Sequence, residues 1–436
     1  MKSALWFTLL LISIADDTLL LSVNFFRPGA SFPHNNVGNK TSWIDLLGSL
    51  DSVGIRMEYE LGFIMGQRYI QTKKTLSTTY DPRQLIIYSD DYNDSINSAY
   101  SFLLGLYGPH SYPKFDTTVA LDSINLMPPL DDNSTDSLKK LSLTLGTDVM
   151  PQSQTLIPVH VLDKDHDYML DPLNSCPFVF NLLDEYTSSN GKNLSNLVTA
   201  SNDLINTLSS AFAVKANSIN AAEVYKMYDF AISALFYQAD IGFNINSLSQ
   251  GAKDNLTKII SAYTYTYFPL QDTHYNISNF TVAPILSNLS ALFANVITNA
   301  NASSHKSFVG YFIHDSLLLP LINVLTAQYG LVLPYGSFFT INLYLDINNS
   351  PYLTMGVNDV MQNNMTLDSF NAISNKMQVN AWNDYCFGPP MGKTAGVVAI
   401  VIECVLLVVV IINWVFILKG KNGTGTDRLL GVESQS

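Results

Sequence analysis

Phe25-Phe26-Arg27-Pro28-Gly29-Ala30-Ser31-Phe32-Pro33 decides how the rest of the chain is read. The apolar run Thr18-Leu19-Leu20-Leu21-Ser22-Val23 stands just before it and has the composition of a buried strand. Pro28 and Gly29 then turn that strand into a loop. Loops at strand ends expose side chains on a rigid base, and sites are commonly built there. The pattern returns late in the chain, where Phe308-Val309-Gly310-Tyr311-Phe312-Ile313 runs into His314-Asp315. Ser316 to Leu325 reads as an apolar helix behind it.

Working outward, Trp43 to Leu50 and Gly54 to Ile70 carry apolar residues at helical spacing. Ile55, Tyr59, Ile64 and Tyr69, with Leu61 and Met65, form a stripe suited to packing on a sheet. Gln84-Leu85-Ile86-Ile87-Tyr88 is a short strand, and Ser98 to Leu106 a helix after it. Strand and helix in alternation predict an α/β fold with a mostly parallel sheet flanked by helices. From Pro109 to about Thr281 the pattern changes to loops and helices, clearest at Leu197 to Val214 and Ala221 to Tyr237. The expected organisation is an α/β domain in two parts, residues 16–108 and 282–388, around a mainly helical insertion at 109–281.

A chain of 436 residues with 47% apolar content has ample material for a core, while 14% charged residues is low. The net charge of −13 argues against nucleic acid and against anionic lipid bound through a basic surface. Residues 1–15 have the form of a secretory signal, with Lys2, an apolar segment from Ala4 to Ile14 and the small-x-small site Ser13-Ile14-Ala15. Ala395 to Leu418 is apolar and long enough to cross a bilayer, and Lys419, Lys421 and Arg428 follow it. That order predicts a single-pass type I membrane protein with a cytosolic tail at 419–436 and a lumenal or extracellular domain, at the cell surface or in the endolysosomal system.

Eleven Asn-x-Ser/Thr sequons fall between the two hydrophobic segments, at Asn39, Asn93, Asn133, Asn193, Asn255, Asn276, Asn279, Asn288, Asn301, Asn348 and Asn364. In a secreted-side domain they would carry N-linked glycans and mark surface. Cys404 lies in the predicted span, which leaves Cys176 and Cys386 as a lumenal pair suited to one disulfide. Glu403 is the one ionisable group in the span, so it is protonated or faces a partner there.

The opening stretch resembles the signature of the branch-two histidine acid phosphatases, an arginine-histidine-glycine-x-arginine-x-proline run ending the first strand. Arg27, Gly29 and Pro33 match it, Pro28 stands at the nucleophilic histidine, and Ser31 stands at the second arginine. Ser52-Val53-Gly54-Ile55-Arg56, Tyr59-Glu60-Leu61-Gly62, Arg68-Tyr69, Tyr80-Asp81-Pro82 and Ser98-Ala99-Tyr100 follow in family order. By the same spacing, Asp94 falls where the family carries a further phosphate-binding arginine. His314-Asp315 matches the second signature, whose histidine holds phosphate and whose aspartate protonates the leaving group. The resemblance implies a histidine phosphatase-like fold with an inserted helical cap over the pocket, and a disulfide joining Cys176 to Cys386.

The family reaction runs through a phosphohistidine, and it needs a free ring nitrogen, cations around the phosphate and an acid. Proline supplies no nucleophile and no amide hydrogen. At the three cation positions, Arg27, Ser31 and Asp94 have formal charges that cancel, and loss of one such donor typically costs about 3–4 kcal/mol. His34 is the nearest other histidine and needs a displaced loop to reach the same point. His110, His160, His166, His274 and His305 lack metal-like spacing, and neither metal nor cofactor is expected. An ion pair between Arg27 and Asp94 is expected where phosphate would sit. The cap aromatics Tyr225, Tyr228, Phe230, Phe236 and Tyr237 are expected in the core. Together these residues imply a catalytically inactive, acid phosphatase-like membrane glycoprotein acting in binding or assembly, with a protein partner or a second copy. The alternative is an acid phosphatase of residual or altered activity built on Arg27, His314 and Asp315.

Overall fold

The computed structural model describes residues 17–38, 45–109, 111, 135–146, 148, 150–185, 192–237, 241–265, 277–300, 306–328, 331–379 and 382–387. The predicted signal, the span at 395–418 with Glu403, the tail and the sequons Asn39, Asn133, Asn276 and Asn301 lie outside them. Asn93, Asn288, Asn348 and Asn364 are exposed, and Asn255 and Asn279 are half-buried.

Seven strands form one sheet: β1 (Thr18–Phe26), β2 (Leu85–Ser89), β3 (Val159–Val161), β4 (Phe308–Phe312), β5 (Phe338–Leu345), β6 (Pro351–Val357) and β7 (Val360–Thr366). Their order is β3-β2-β4-β1-β5-β6-β7. Pairing is parallel from β3 to β1 and antiparallel from β1 to β7. The expected mostly parallel sheet is therefore corrected to a mixed one. Both faces of β1 and β4 are covered, which explains their unbroken apolar sequence. Neighbouring rings across this pair stack, Phe25 on Tyr311 at 4.9 Å and Phe26 on Phe312 at 4.7 Å.

Register places the site. Phe26 pairs with Phe312, and Phe312 pairs with Ser89, so the C-terminal ends of β1, β4 and β2 lie level. The loops that follow, beginning at Arg27, Ile313 and Asp90, leave the sheet at one edge. In open α/β sheets, ligands bind at that edge.

The helices are α1 (Ser52–Gly66), α2 (Asn93–Leu106), α3 (Thr135–Leu145), α4 (Pro172–Ser175), α5 (Pro177–Glu185), α6 (Lys192–Thr199) and α7 (Asn202–Phe212). They continue with α8 (Ala221–Phe236), α9 (Gln250–Tyr265), α10 (Ile277–Thr298), α11 (Asp315–Thr326), α12 (Leu367–Met377) and α13 (Trp382–Phe387). Met65, Phe102, Leu103 and Leu106 of α1 and α2 share an apolar cluster with Phe26, Phe308 and Phe312. Helices α10, α11 and α12 pack with β1, β4, β5 and β6 in a second cluster. A third belongs to the insertion: Leu204, Leu208, Val224, Met227, Phe230 and Ile259 close around Phe32 and Val37 of the first loop.

Helix α1 corrects the sequence reading. Ile55, Tyr59 and Ile64 are 49%, 37% and 51% exposed, so that stripe faces away from the core, while Met65 and Tyr69 are buried as expected. The inward face is Gly54, Glu58, Gly62, Met65 and Gly66. A Cβ on Gly62 would lie 2.0 Å from the Phe102 carbonyl, and one on Gly105 would lie 2.0 Å from that of Tyr59. The two helices meet backbone to backbone. Residues 45–48 form a turn rather than part of a helix, and the expected helix from Leu197 to Val214 is broken into α6 and α7 at Ala200 and Ser201.

Asn279–Thr298 of α10 is long and apolar enough by composition to cross a membrane. Val282, Ile285, Leu286, Leu289, Phe293 and Val296 are nevertheless buried against the sheet cluster, which makes it a core helix. Asn380–Ser436 is a second compact unit, and α13 belongs to it. Cys176 and Cys386 are both disulfide-bonded, in agreement with the expectation.

Candidate functional site

A cavity of about 730 Å³ opens at the level strand ends, lined by Arg27, Pro28, His34, Asp90, Asp94, Tyr225, Asp229, His314, Asp315 and Tyr335 among others. Its floor is the loop after β1, which is clamped onto the start of α1. The Asp51 amide donates to Ala30 O at 3.0 Å, and Asp51 Oδ1 caps α1 by accepting from the Gly54 amide at 2.6 Å. A Cβ on Gly29 would meet Gly54 O at 2.6 Å, so only glycine fits this contact. The Gly29 amide donates to Ser98 Oγ of α2 at 3.1 Å.

Arg27 extends from the end of β1 with 12% side-chain exposure. Its Nη2 lies 3.6 Å from Asp315 Oδ2, its Nη1 donates to Leu333 O, and its Cζ sits 4.6 Å above the Tyr335 ring. Burial works against its charge, but Asp315 and the tyrosines Tyr335, Tyr225 and Tyr228 outweigh it and hold the proton more tightly than usual. Asp315, the first residue of α11, also accepts from Tyr225 Oη at 2.8 Å.

The other half of the cavity is a carboxylate–imidazole network. Asp90 Oδ2, just past β2, accepts from the His314 amide at 3.0 Å and lies 2.7 Å from His314 Nδ1. Asp94, in the first turn of α2, is 2% exposed; its Oδ1 lies 3.5 Å from His314 Nε2 and its Oδ2 lies 3.2 Å from His34 Nε2. Burial alone would raise the Asp94 carboxyl, but His314 and His34 hold it far below the usual range. Burial likewise disfavours charge on His314, and Asp90 and Asp94 reverse this, pushing its pKa well above the ordinary value. His34 is shifted upward for the same reason, burial being outweighed by Asp94. The Tyr92 ring stands edge-on to both imidazoles, with centroids 4.4 Å from His314 and 6.0 Å from His34.

Five of the six residues predicted from sequence, Arg27, Pro28, Asp94, His314 and Asp315, line this one cavity, whereas Ser31 is buried in a bridge to Leu50 outside its lining. The expected Arg27–Asp94 ion pair is not formed: Arg27 pairs with Asp315, and Asp94 with the two histidines. His34, considered only as a substitute nucleophile, joins the network through Asp94. Its amide is tied to Asp229 Oδ2 at 3.2 Å, and Gly48 leaves room beside its ring. Tyr225 lines the pocket and, like Tyr228, also packs half-buried against the insertion's cluster; Tyr237 is 47% exposed, and Phe230 is buried as expected. Sequence reasoning also missed Asp90 and Tyr335. The position of Asp90 directly after a strand, equivalent to that of Arg27, was the available signal.

A family profile described as the histidine phosphatase superfamily (branch 2) matches residues 5–358. Lysosomal acid phosphatase of Xenopus laevis is 22% identical over 316 residues, covering 71% of this chain and 61% of that protein. The match thus spans less than two thirds of the Xenopus protein's length. Human prostatic acid phosphatase is 22% identical over 325 residues, covering 73% of this chain and 71% of its own. Among solved structures, the Citrobacter braakii phytase superposes with a TM-score of 0.56 at 13% identity, over 84% of this chain and 99% of that one. The apo Hafnia alvei phytase gives 0.54 at 11% identity, over 84% and 98%. At such identities the likeness concerns the fold. With the family profile covering most of the sequence, the chain belongs to branch 2 of the histidine phosphatase superfamily.

Proposed function

We propose that the domain is a pseudophosphatase, a phosphatase-like pocket on a type I membrane glycoprotein that serves binding or assembly instead of hydrolysis. The observation that carries this is the charge of the cavity. Six aspartates line it (Asp90, Asp91, Asp94, Asp171, Asp229 and Asp315), against two permanent cations, Arg27 and Lys226. Even with His34 and His314 charged, the carboxylates outnumber the cations. A phosphate dianion would meet repulsion there, since unit charges 4 Å apart interact by about 4 kcal/mol at an effective dielectric constant of 20. Pro28 lines the cavity at the position matched to the family's nucleophile and offers no reactive atom. Arg27 and Asp315, which the family uses on substrate and leaving group, are here turned onto each other and onto Tyr225.

Such a pocket favours cationic or neutral polar ligands over phosphate. Titration of the full chain with inorganic phosphate tests the reading. No saturable binding at millimolar phosphate is expected at pH 5 or pH 7, and tight, competitive phosphate binding would contradict it. Arg27, His314 and Asp315 in place favour residual acid phosphatase activity as the rival, which predicts measurable turnover.

A further inference from the structure

Three side chains from three separate segments aim metal-capable atoms at one small volume. Asp94 Oδ2 and His34 Nε2 are 3.2 Å apart, Asp94 Oδ1 and His314 Nε2 are 3.5 Å apart, and a set of one donor atom from each residue fits within 4.8 Å. Two ligands bound to Zn²⁺ at tetrahedral angles sit about 3.3 Å apart, given bonds of about 2.0–2.1 Å. The two contacts at Asp94 are near this length but use its two different oxygens, so an ion held by all three side chains would draw the donors in from their 4.8 Å spread, and His34, 29% exposed, is the one with room to move.

An independent observation points to a missing ligand. His314 Nε2 is buried and makes no hydrogen bond among the described residues, its nearest charged neighbour being Asp94 Oδ1 at 3.5 Å, although its ring is fixed from the other side. Asp90 Oδ2 is 2.7 Å from His314 Nδ1 and also accepts from the His314 amide, so the ring is oriented twice by one carboxylate. Without metal, Asp94 favours a proton on Nε2; an ion bound there would displace that proton, while the Nδ1 proton stays on the Asp90 side and Nε2 supplies its lone pair. This carboxylate–histidine arrangement is the usual outer support of a metal-bound imidazole.

We propose that His34, Asp94 and His314 form a site for one divalent first-row transition ion, with Asp90 as the positioning carboxylate. Two imidazoles and one carboxylate suit Zn²⁺, and three protein ligands leave a coordination position open to the cavity. Asp94 is the decisive residue, because the arginine that the family resemblance implies at this position would place a cation where the ion sits. The site does not depend on the domain being inactive: it requires only the three ligands.

The test is calorimetric titration of the chelator-treated full chain in detergent with Zn²⁺, together with metal content after dialysis. One Zn²⁺ per chain is expected. Asp94→Asn and His34→Gln should each weaken binding at least 100-fold, and Asp90→Asn, which removes only the outer support, by 10–100-fold. His160→Gln, on the exposed face of β3, should leave it unchanged. Melting without metal checks that each variant folds, and the half-exposed His34→Gln carries the test if the buried substitutions do not. Absence of Zn²⁺ binding in the native chain, or binding that Asp94→Asn and His34→Gln leave intact, overturns the site. Zn²⁺ binding without phosphatase turnover supports both readings, and Zn²⁺-dependent turnover keeps the site while overturning the pseudoenzyme.

Discussion

Asp167 should make the domain more stable in acid than at neutral pH. It is fully buried; its Oδ1 accepts from the amides of Met169 at 3.1 Å and Leu170 at 2.8 Å, and its Oδ2 has no partner among the described residues. Burial pushes its carboxyl up from 3.8 to about 6, and the nearby Asp171 and Asp90 add to the rise. A raised folded value means that the native state keeps a proton which the unfolded chain has lost. The associated stability is complete below about pH 4 and disappears as pH rises through about 6. The difference corresponds to about 3 kcal/mol, which screening at the edge of the acidic cluster reduces to about 2 kcal/mol. Asp167→Asn keeps the Oδ1 acceptor and removes the titration. Its new amide hydrogens lack acceptors, at about 1 kcal/mol at every pH, so the slope of stability with pH is the readout and not its absolute level. In thermal melts of the full chain from pH 4 to pH 7, the variant should gain about 2–5 °C on the native protein. Parallel profiles across that range would refute the assignment.

Three further outcomes follow from the same packing. Glu58 is fully buried on α1, neither carboxylate oxygen has a partner among the described residues, and burial raises its pKa well above the usual range. Glu58→Met should therefore stabilise the protein by about 1–3 kcal/mol in denaturant melts at pH 7, with the gain shrinking in acid. Gly105→Ala should destabilise by at least about 2 kcal/mol in the same assay, because its Cβ would sit 2.0 Å from Tyr59 O. Arg27→Gln leaves the 16%-exposed Asp315 beside Tyr225 without its cation and should cost about 2–4 kcal/mol of stability, a structural role measurable by melting.

Strands β1 and β4 were legible because they are short apolar runs ended by Pro28-Gly29 and by His314-Asp315, signals that local sequence carries by itself, whereas the parallel strand β3, three residues long, lay within the stretch read as the helical insertion. The antiparallel edge was not legible either, since β7 (Val-Met-Gln-Asn-Asn-Met-Thr) is polar and half-exposed and has no apolar alternation. Helix α1 misled for a different reason. Hydrophobic periodicity finds side chains that seek a core, whereas its buried face packs through glycines, which carry no such signal. At the site, Arg27, Pro28, His314 and Asp315 were found through their resemblance to the family's two signatures, and Asp94 by spacing within that resemblance. Their pairing was not, because spacing places Cα atoms and says nothing of which charge turns to which. His34 was weighed only as a substitute nucleophile, and its pairing with Asp94 was not legible because its path depends on two distant contacts, the tie to Asp229 of α8 and the space at Gly48.

Phosphomonoester hydrolysis by the purified full chain, at pH 5 and pH 7 and with and without added Zn²⁺, tests the central claim most directly. The comparison is with the triple substitution Pro28→His, Ser31→Arg, Asp94→Arg. The account predicts no turnover by the native chain under any of these conditions and a gain of turnover in the triple variant, which restores the nucleophile and two cations to an intact frame. Native turnover that Asp315→Ala abolishes would contradict it.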